Sequence, residues 1–307
     1  MIFIDPNTSR LVEAKRAFLE GMRSLVEKRI TKAINSFSSD CKEKDFFQHT
    51  IPDKLDDILI GKPGELLEVN EELLPYINSS SDIEKTIKYV FHYDTFTTKA
   101  TSRYDAYQLA ESLDIRTCPY CNRNYTSTVK TKKGKKLTRP QFDHYFDKAT
   151  YPLLALSFYN LIPCCSICNT GIKKTTSMSL EEHLHPYLDD EIEEIRFTYY
   201  YSNDTESGYR LKVSADNSDK ARNTIRDFAL EEIYNAHAGE LEDLIRTKQY
   251  FSDRYLSILR SSLLKDVETT KEDLYRIVFG TEYDTNRFVN RPFSKFKSDI
   301  LKELGII

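Results

Sequence analysis

The spacing of apolar residues predicts a long amphipathic helix near the start of the chain. Between residues 9 and 37, apolar positions recur mainly at intervals of three, four and seven residues, as they do on the buried face of a helix. Weaker helical spacing follows at residues 66–77, 82–92 and 101–113, so the region before residue 115 is predicted to be helical. The positions of the first face are Leu11, Phe18, Met22, Leu25, Val26, Ile30, Ala33, Ile34 and Phe37.

The pattern changes after residue 195. Apolar and polar residues alternate on both sides of a polar, Gly-containing connection, which predicts a β-hairpin over residues 195–214. One helical face then extends from Leu230 to Leu263, with Gly239 as its only weak point, and helices follow at 269–279 and 292–304. The long face consists of Leu230, Ile233, His237, Leu241, Leu244, Phe251, Tyr255, Ile258 and Leu263. Helical regions of this kind usually form part of the hydrophobic core of their own chain, although partner binding is compatible with them.

These elements predict a predominantly helical α+β protein in three regions. The regions are a helical part at 1–114, a cysteine-rich module at 115–190, and a β-hairpin with helices at 191–307, and an acidic patch at 181–194 marks the second boundary. The apolar window from 151 to 168 is interrupted by proline and by Asn160, so it is predicted to be buried core and not a membrane span. Because the first ten residues lack a secretory pattern, a cytoplasmic protein is expected.

Five of the six cysteines lie in two groups between Cys118 and Cys168. Two C-x-x-C units can each place two thiolates on one ion, and together they complete a closed tetrahedral site of the kind that holds structural zinc. The predicted zinc ligands are Cys118, Cys121, Cys165 and Cys168. Cys164 breaks the spacing and Cys41 stands alone, so neither is assigned a role. The alternative is a set of buried cysteines without a metal.

The net charge of −4 conceals a basic island. Residues 116–174 carry +9, and the rest of the chain carries −13. An island of this kind in an acidic protein favours binding of a polyanion, although a solvated lysine loop is the commoner meaning of a charge run taken alone. The stretch KTKKGKKLTR, centred on Gly134, is predicted to be a hairpin tip. The candidate phosphate-binding residues are Lys132, Lys133, Lys135, Lys136, Lys173 and Lys174.

Between the two cysteine pairs lies a constellation of Asp143, His144 and Asn160, and Asn169 follows the last cysteine. This order, DH…N…CxxCN, resembles that of the HNH (ββα-metal) nuclease family. The resemblance implies that His144 is the general base, that Asp143 and Asn169 ligate Mg²⁺, and that Asn160 orients the loop that holds His144. Because the final position is Asn, the chain is an H-N-N variant. Asn offers a neutral oxygen, which suits a hard cation such as Mg²⁺.

Phosphodiester hydrolysis explains why these residue types are needed. A neutral imidazole with a pKa near 6.5 can take a proton from the attacking water at about pH 7. A divalent ion can stabilise the negative charge that grows on the phosphorane and the leaving oxygen. The alternative for His144 is a structural histidine. His183 and His185, which lie beside the acidic residues of the patch at 181–194, are expected to have surface or structural roles.

A longer match covers Arg139–Asn169 together with CPYCNRNY from Cys118. It is similar to the PtuB-type HNH nuclease subunits of Septu-type and retron-associated anti-phage defence systems. This resemblance implies a bacterial endonuclease that works with a PtuA-like ABC/SMC ATPase subunit on nucleic acid, with DNA favoured over RNA. Two alternatives stay open: a non-catalytic zinc module that binds nucleic acid or scaffolds a complex, and a nuclease directed at RNA.

Overall fold

The computed structural model describes residues 1–38, 41–98, 104–174, 176–191, 193–250 and 270–306. The helix predicted at 9–37 is confirmed as α1, Ser9–Ile34, which begins after Thr8, whose side chain accepts a hydrogen bond from the Leu11 amide. Further helices complete the N-terminal region, and several of them contact α1. They are α2 Lys42–Asp45, a π-helical turn Phe46–Thr50, α3 Ile51–Asp53, α4 Leu55–Ile60, α5 Pro63–Asn78, α6 Ser81–Val90, α7 Asp94–Thr98 and α8 Ala106–Leu113.

Three two-stranded antiparallel sheets make up the β-structure of the described residues. In the cysteine-rich module, β1 Val129–Lys130 pairs with β2 Lys136–Thr138, and β3 Gln141–His144 pairs with β4 Leu161–Cys164. Two 3₁₀ turns, Pro152–Leu154 and Phe158–Asn160, precede β4, and a π-helical segment, Ile167–Lys173, follows it. The hairpin predicted at 195–214 is confirmed as β5 Arg196–Tyr201 and β6 Tyr209–Ser214.

The C-terminal region is helical. Its elements are α9 Asp219–Asp227, α10 Leu230–Asn235, α11 Ala238–Tyr250, α12 Lys271–Phe279, a 3₁₀ turn Thr285–Asn290 and α13 Ser294–Glu303. The helices predicted at 269–279 and 292–304 are therefore confirmed, within two residues at each end.

The prediction of one uninterrupted helix from Leu230 is wrong. The chain turns at residues 236–237, where the His237 amide donates to the Tyr234 carbonyl at 2.8 Å, and Gly239 lies inside α11. The turn occurs because α10 is bound on two sides: Asn235 exchanges hydrogen bonds with the Leu211 backbone, and the Tyr234 hydroxyl donates to the Cys121 carbonyl at 2.6 Å. The remaining members of the predicted face, Phe251, Tyr255, Ile258 and Leu263, lie outside the described residues.

One cluster of buried apolar side chains connects the three predicted regions. It extends from Met1 and α1, through β3 and β4, to Leu304 after α13. The window from 151 to 168 contributes its interior, as predicted, since Leu154, Leu156 and Leu161 are fully buried. Within the described residues, no helix combines the length and apolarity that a membrane crossing requires.

Candidate functional site

The four predicted zinc ligands lie together. The Sγ atoms of Cys118, Cys121, Cys165 and Cys168 all lie within 4.8 Å of one another, and the four residues are buried. Each pair is held by a tight turn: the Asn122 amide donates to the Cys118 carbonyl at 2.7 Å, and the Asn169 amide donates to the Cys165 carbonyl at 3.1 Å. The first knuckle, residues 118–121, and the second knuckle, residues 165–168, thus form one cluster that could hold a metal such as zinc.

The chemistry of this cluster suits a divalent cation. Four thiolates on one zinc ion lie about 3.8 Å apart, given a Zn–S bond of about 2.3 Å, and the observed spacing is compatible with that arrangement. Burial raises the pKa of Cys118 well above its usual value, so the buried thiols need a cation in order to ionise together. Two N–H groups already point at one sulfur: Asn124 Nδ2 and the Cys168 amide lie 3.3 and 3.5 Å from Cys165 Sγ.

Asp143 lies on β3 with its carboxylate turned into the protein. Its Oδ2 atom accepts hydrogen bonds from the Tyr120 hydroxyl and from Lys173 Nζ, each at 2.7 Å. Burial raises the pKa of Asp143, and the charge of Lys173 and the two hydrogen bonds only partly offset this effect. Tyr120 belongs to the first knuckle, so the zinc cluster and Asp143 are directly connected.

Lys173 does not occupy the position expected for a phosphate-binding residue. Its side chain is buried, and Nζ also donates to the His144 carbonyl at 2.7 Å. A buried carboxylate attracts the nearest cation strongly, and Lys173, at the end of the helical segment, is close enough to reach it. Its neighbour Lys174 is exposed, as expected for a residue that could contact a nucleic acid.

His144, the last residue of β3, is partly buried. Its Nε2 atom lies 3.0 Å from the Ala155 carbonyl oxygen, and its ring meets the Tyr93 ring edge to face at 4.5 Å. Because a carbonyl only accepts hydrogen bonds, Nε2 carries the proton and Nδ1 is the atom that can take another. Burial lowers the pKa of His144 to about 4, so the imidazole is neutral at pH 7.

Asn160 closes the loop between His144 and β4. Its buried side chain accepts a hydrogen bond from the Phe146 amide at 2.6 Å and donates to the carbonyls of Phe146 and Leu154 at 3.1 and 2.9 Å. The Asn160 carbonyl also accepts from the Tyr145 amide. The loop therefore has a fixed shape, and this loop supplies the carbonyl that holds the imidazole of His144.

Asn169 lies in the helical segment after β4. Its Nδ2 atom donates to Gln141 Oε1 at 3.0 Å. Gln141 and Asp143 share one face of β3, whereas His144 is on the other, because successive strand residues point to opposite sides. In this arrangement Asp143 and Asn169 do not fit Mg²⁺, since the ammonium of Lys173 already occupies the carboxylate that would have to bind the ion.

The lysine hairpin, residues 129–138, has the shape predicted for it. Gly134 adopts a positive φ of 79° at the tip, and residues 131–138 are exposed. Lys130 pairs with Glu111, and Lys136 pairs with Asp105 at the base. The exposed cations at the tip are Lys132, Lys133 and Lys135.

Sequence reasoning missed the two partners of Asp143. Tyr120 lies between two cysteines, and an aromatic residue that must be buried beside a metal cluster is a signal that could have found it. Lys173 follows Asn169 in the sequence, a position that predicts a contact with substrate, but the fold buries its side chain. His183 and His185 have structural positions: His183 Nε2 lies 2.9 Å from Asp227 Oδ2, and His185 is buried against the Tyr145 ring.

Comparisons of this chain with protein-family models, with curated proteins and with solved structures find no match. The order of β3, β4 and the helical segment, and the groups that they position, therefore provide the functional information.

Proposed function

We propose that this chain is an HNH-type endonuclease that hydrolyses phosphodiester bonds of nucleic acid, with DNA favoured, and that the four cysteines hold a structural zinc. The main observation is the neutral imidazole of His144 at the end of β3, fixed by the loop that Asn160 closes. The antiparallel pair β3–β4 and the helical segment follow one another in the order that the HNH resemblance implies. The four-cysteine cluster joins the segment before β3 to the start of the helical segment after β4.

In the proposed reaction, His144 takes a proton from the attacking water at Nδ1 while Nε2–H stays bonded to the Ala155 carbonyl. That bond fixes the tautomer and the orientation of the ring, as a catalytic base requires. A pKa of about 4 makes His144 a neutral but weak base. Mg²⁺, which the resemblance implies on Asp143 and Asn169, has no role in this step, because the ammonium of Lys173 occupies that carboxylate.

The experiment compares the parent chain with His144→Ala on plasmid DNA and on RNA, with Mg²⁺ present. Loss of the general base should reduce cleavage by about 100- to 10,000-fold. Zinc content should stay close to that of the parent and the variant should remain folded, with thermal stability lowered by loss of the hydrogen bond to the Ala155 carbonyl. His49→Ala is the matched control, since His49 is exposed on the π-helical turn of the N-terminal region. Cleavage by His144→Ala at the parental rate would exclude His144 as the base.

A second candidate function is a zinc module that binds nucleic acid without cutting it. The observation that favours it is the ion pair between Asp143 and Lys173, in which the ammonium occupies the carboxylate that was expected to bind a metal. Binding to DNA or RNA without cleavage by the parent chain, in any of Mg²⁺, Mn²⁺ or Ca²⁺, would support this function over the nuclease.

The resemblance also motivates a proposal about assembly: the chain acts in the cytoplasm with a PtuA-like ATPase subunit in anti-phage defence. The described part of the helical face that begins at Leu230 does not support partner binding, because Leu241 and Leu244 are buried inside the chain. Co-expression with an ATPase encoded beside this chain tests the proposal, and a complex that cuts faster than the isolated chain is the expected result.

A further inference from the structure

A groove lies between the lysine hairpin and the second knuckle. Its volume is about 670 Å³, within the range of about 300–1,000 Å³ that is typical of ligand sites. Val129 and Thr138 line it from the hairpin, and Ser166 and Ile167 line it from the second knuckle. Hydroxyl groups and apolar surface are therefore presented together.

Tyr125 is the prominent side chain of this groove. It is 66% exposed, although it lies shortly after the first knuckle and its backbone is held by a bridge to Thr117. Val129 and Ile167, at 42% and 44%, are exposed beside the same groove. An aromatic ring on a fixed backbone, open to solvent and bordered by apolar groups, offers a face on which a planar ring can stack.

The charges around the groove favour a polyanion. Lys132, Lys133 and Lys135 are exposed at the tip of the hairpin whose strands border the groove. Arg139 lines the groove itself and adds a further positive charge. Cations beside an exposed aromatic ring are the combination by which proteins bind single-stranded nucleic acid, since phosphates contact the cations and unpaired bases stack on the ring.

The groove also borders β3, the strand that carries Asp143 and His144. Gln141 lines it, and Gln141 Oε1 accepts the hydrogen bond from Asn169. Asp143 follows two residues later on the same face of β3. A strand bound in the groove therefore lies against β3 next to Asn169, whereas His144 is on the opposite face of β3.

We propose that this groove binds a single-stranded segment of nucleic acid, with one unpaired base stacked on Tyr125 and the adjacent phosphates on the cations of the lysine hairpin. As a statement about the substrate, the inference rests on the proposed function. It makes the substrate of the nuclease single-stranded or locally unpaired, because a duplex keeps its base faces stacked on one another and offers none to Tyr125.

Binding is measured with the full chain carrying His144→Ala, so that an oligonucleotide is not cut. The probes are a single-stranded DNA oligonucleotide containing 2-aminopurine and the same sequence as a duplex. Adding Tyr125→Ala should weaken single-strand binding by about 5- to 100-fold, remove the quenching of 2-aminopurine, and leave duplex binding unchanged. Tyr125→Trp should retain both signals. Tyr201→Ala, at a tyrosine 71% exposed on β5, is the matched control.

Equal single-strand affinity of the parent and Tyr125→Ala would overturn the inference. So would an equal loss for single strand and duplex, which would indicate a general effect on the surface and not base stacking. Unchanged zinc content in Tyr125→Ala verifies that the first knuckle is intact. Because the readout is binding, the two proposals can fail separately. Base stacking on Tyr125 without any cleavage by the parent chain would overturn only the proposed nuclease activity. Cleavage by the parent chain with no effect of Tyr125→Ala on binding would overturn only the proposed single-strand site.

Discussion

At the scale of single residues, the ion pair between Asp143 and Lys173 determines the chemistry of the site. Both side chains are buried, and removal of one partner from a buried pair leaves an uncompensated charge. Lys173→Met should therefore destabilise the fold by about 3–5 kcal/mol, measured by urea unfolding. Lys174→Met is the matched control, because Lys174 is exposed next to it and its loss should change stability by less than about 0.5 kcal/mol.

The same pair of variants tests whether a divalent ion competes for Asp143. Added Mg²⁺ should restore part of the lost stability in Lys173→Met, because a ligand that binds only the folded state stabilises it. It should have no such effect in the double variant Lys173→Met/Asp143→Asn. Equal unfolding midpoints for Lys173→Met and Lys174→Met would show that Lys173 is not buried against Asp143.

The pKa of His144 gives a prediction about pH. Since burial lowers this pKa to about 4, and that of the unfolded chain stays near 6.5, the unfolded state binds more protons between these values. The free energy of unfolding is therefore highest above about pH 6.5. It decreases as the pH falls towards 4, because the unfolded chain takes up a proton that buried His144 does not. From pH 7 to pH 5 the parent should lose about 1–2 kcal/mol more than His144→Gln. The measurement is the free energy of unfolding at each pH.

His49→Gln provides the comparison for loss of one imidazole, because His49 is an exposed histidine on the π-helical turn of the N-terminal region. Acid also weakens any zinc held by thiolates, but this effect is common to all three proteins and cancels in the differences. The prediction fails if His144→Gln and the parent lose the same stability.

Single-residue roles were predictable where spacing alone defines them. Two C-x-x-C units determine which cysteines can share an ion, and the structure brings those four together. The partners of Asp143 were not predictable, because Tyr120 and Lys173 come from segments 23 and 30 residues away whose meeting depends on the tertiary fold.

At the scale of elements, the two knuckles fix the strand pair β3–β4 to the helical segment that follows it. Cys121→Ser should reduce zinc from one per chain towards none, and the cooperative unfolding transition should weaken or disappear, because binding of a structural zinc contributes directly to folding. Elemental analysis and thermal unfolding measure both effects. Cys41→Ser is the control, since Cys41 is not a member of the four-cysteine cluster and its Sγ accepts a hydrogen bond from the Lys44 amide. Full zinc content in Cys121→Ser would contradict the four-cysteine site.

Long elements with a strong period were predictable, and short ones were not. The face of α1 and the alternation in β5 and β6 each repeat over enough residues to be recognised. The helical turns between Lys42 and Ile60 are three to six residues long, so no face recurs within them. α9 has only Ala221, Thr224 and Ile225 buried, in a segment otherwise polar, which conceals its amphipathic pattern.

At the scale of the whole molecule, Asn122 joins the first knuckle to the C-terminal region. Its buried Nδ2 donates to the carbonyls of Phe288 and Arg291 at 2.9 and 3.3 Å, and its Oδ1 accepts from the Lys295 amide at 3.2 Å. Its own carbonyl accepts from the Phe293 amide at 2.6 Å. The predicted boundary at residue 191 therefore separates segments that share hydrogen bonds as well as one core.

This junction predicts that the cysteine-rich module does not fold without the C-terminal region. Asn122 has a positive φ of 47°, where alanine costs about 1–2 kcal/mol, and each buried carbonyl left unpaired costs about 1–3 kcal/mol more. Asn122→Ala should thus lower the free energy of unfolding by about 3 kcal/mol or more. Asn122→Gly, which loses the same hydrogen bonds but tolerates the backbone, should lose about 1 kcal/mol less. Urea unfolding measures both. A fragment of residues 115–190 that binds zinc and unfolds cooperatively alone would contradict this coupling and support three separate domains.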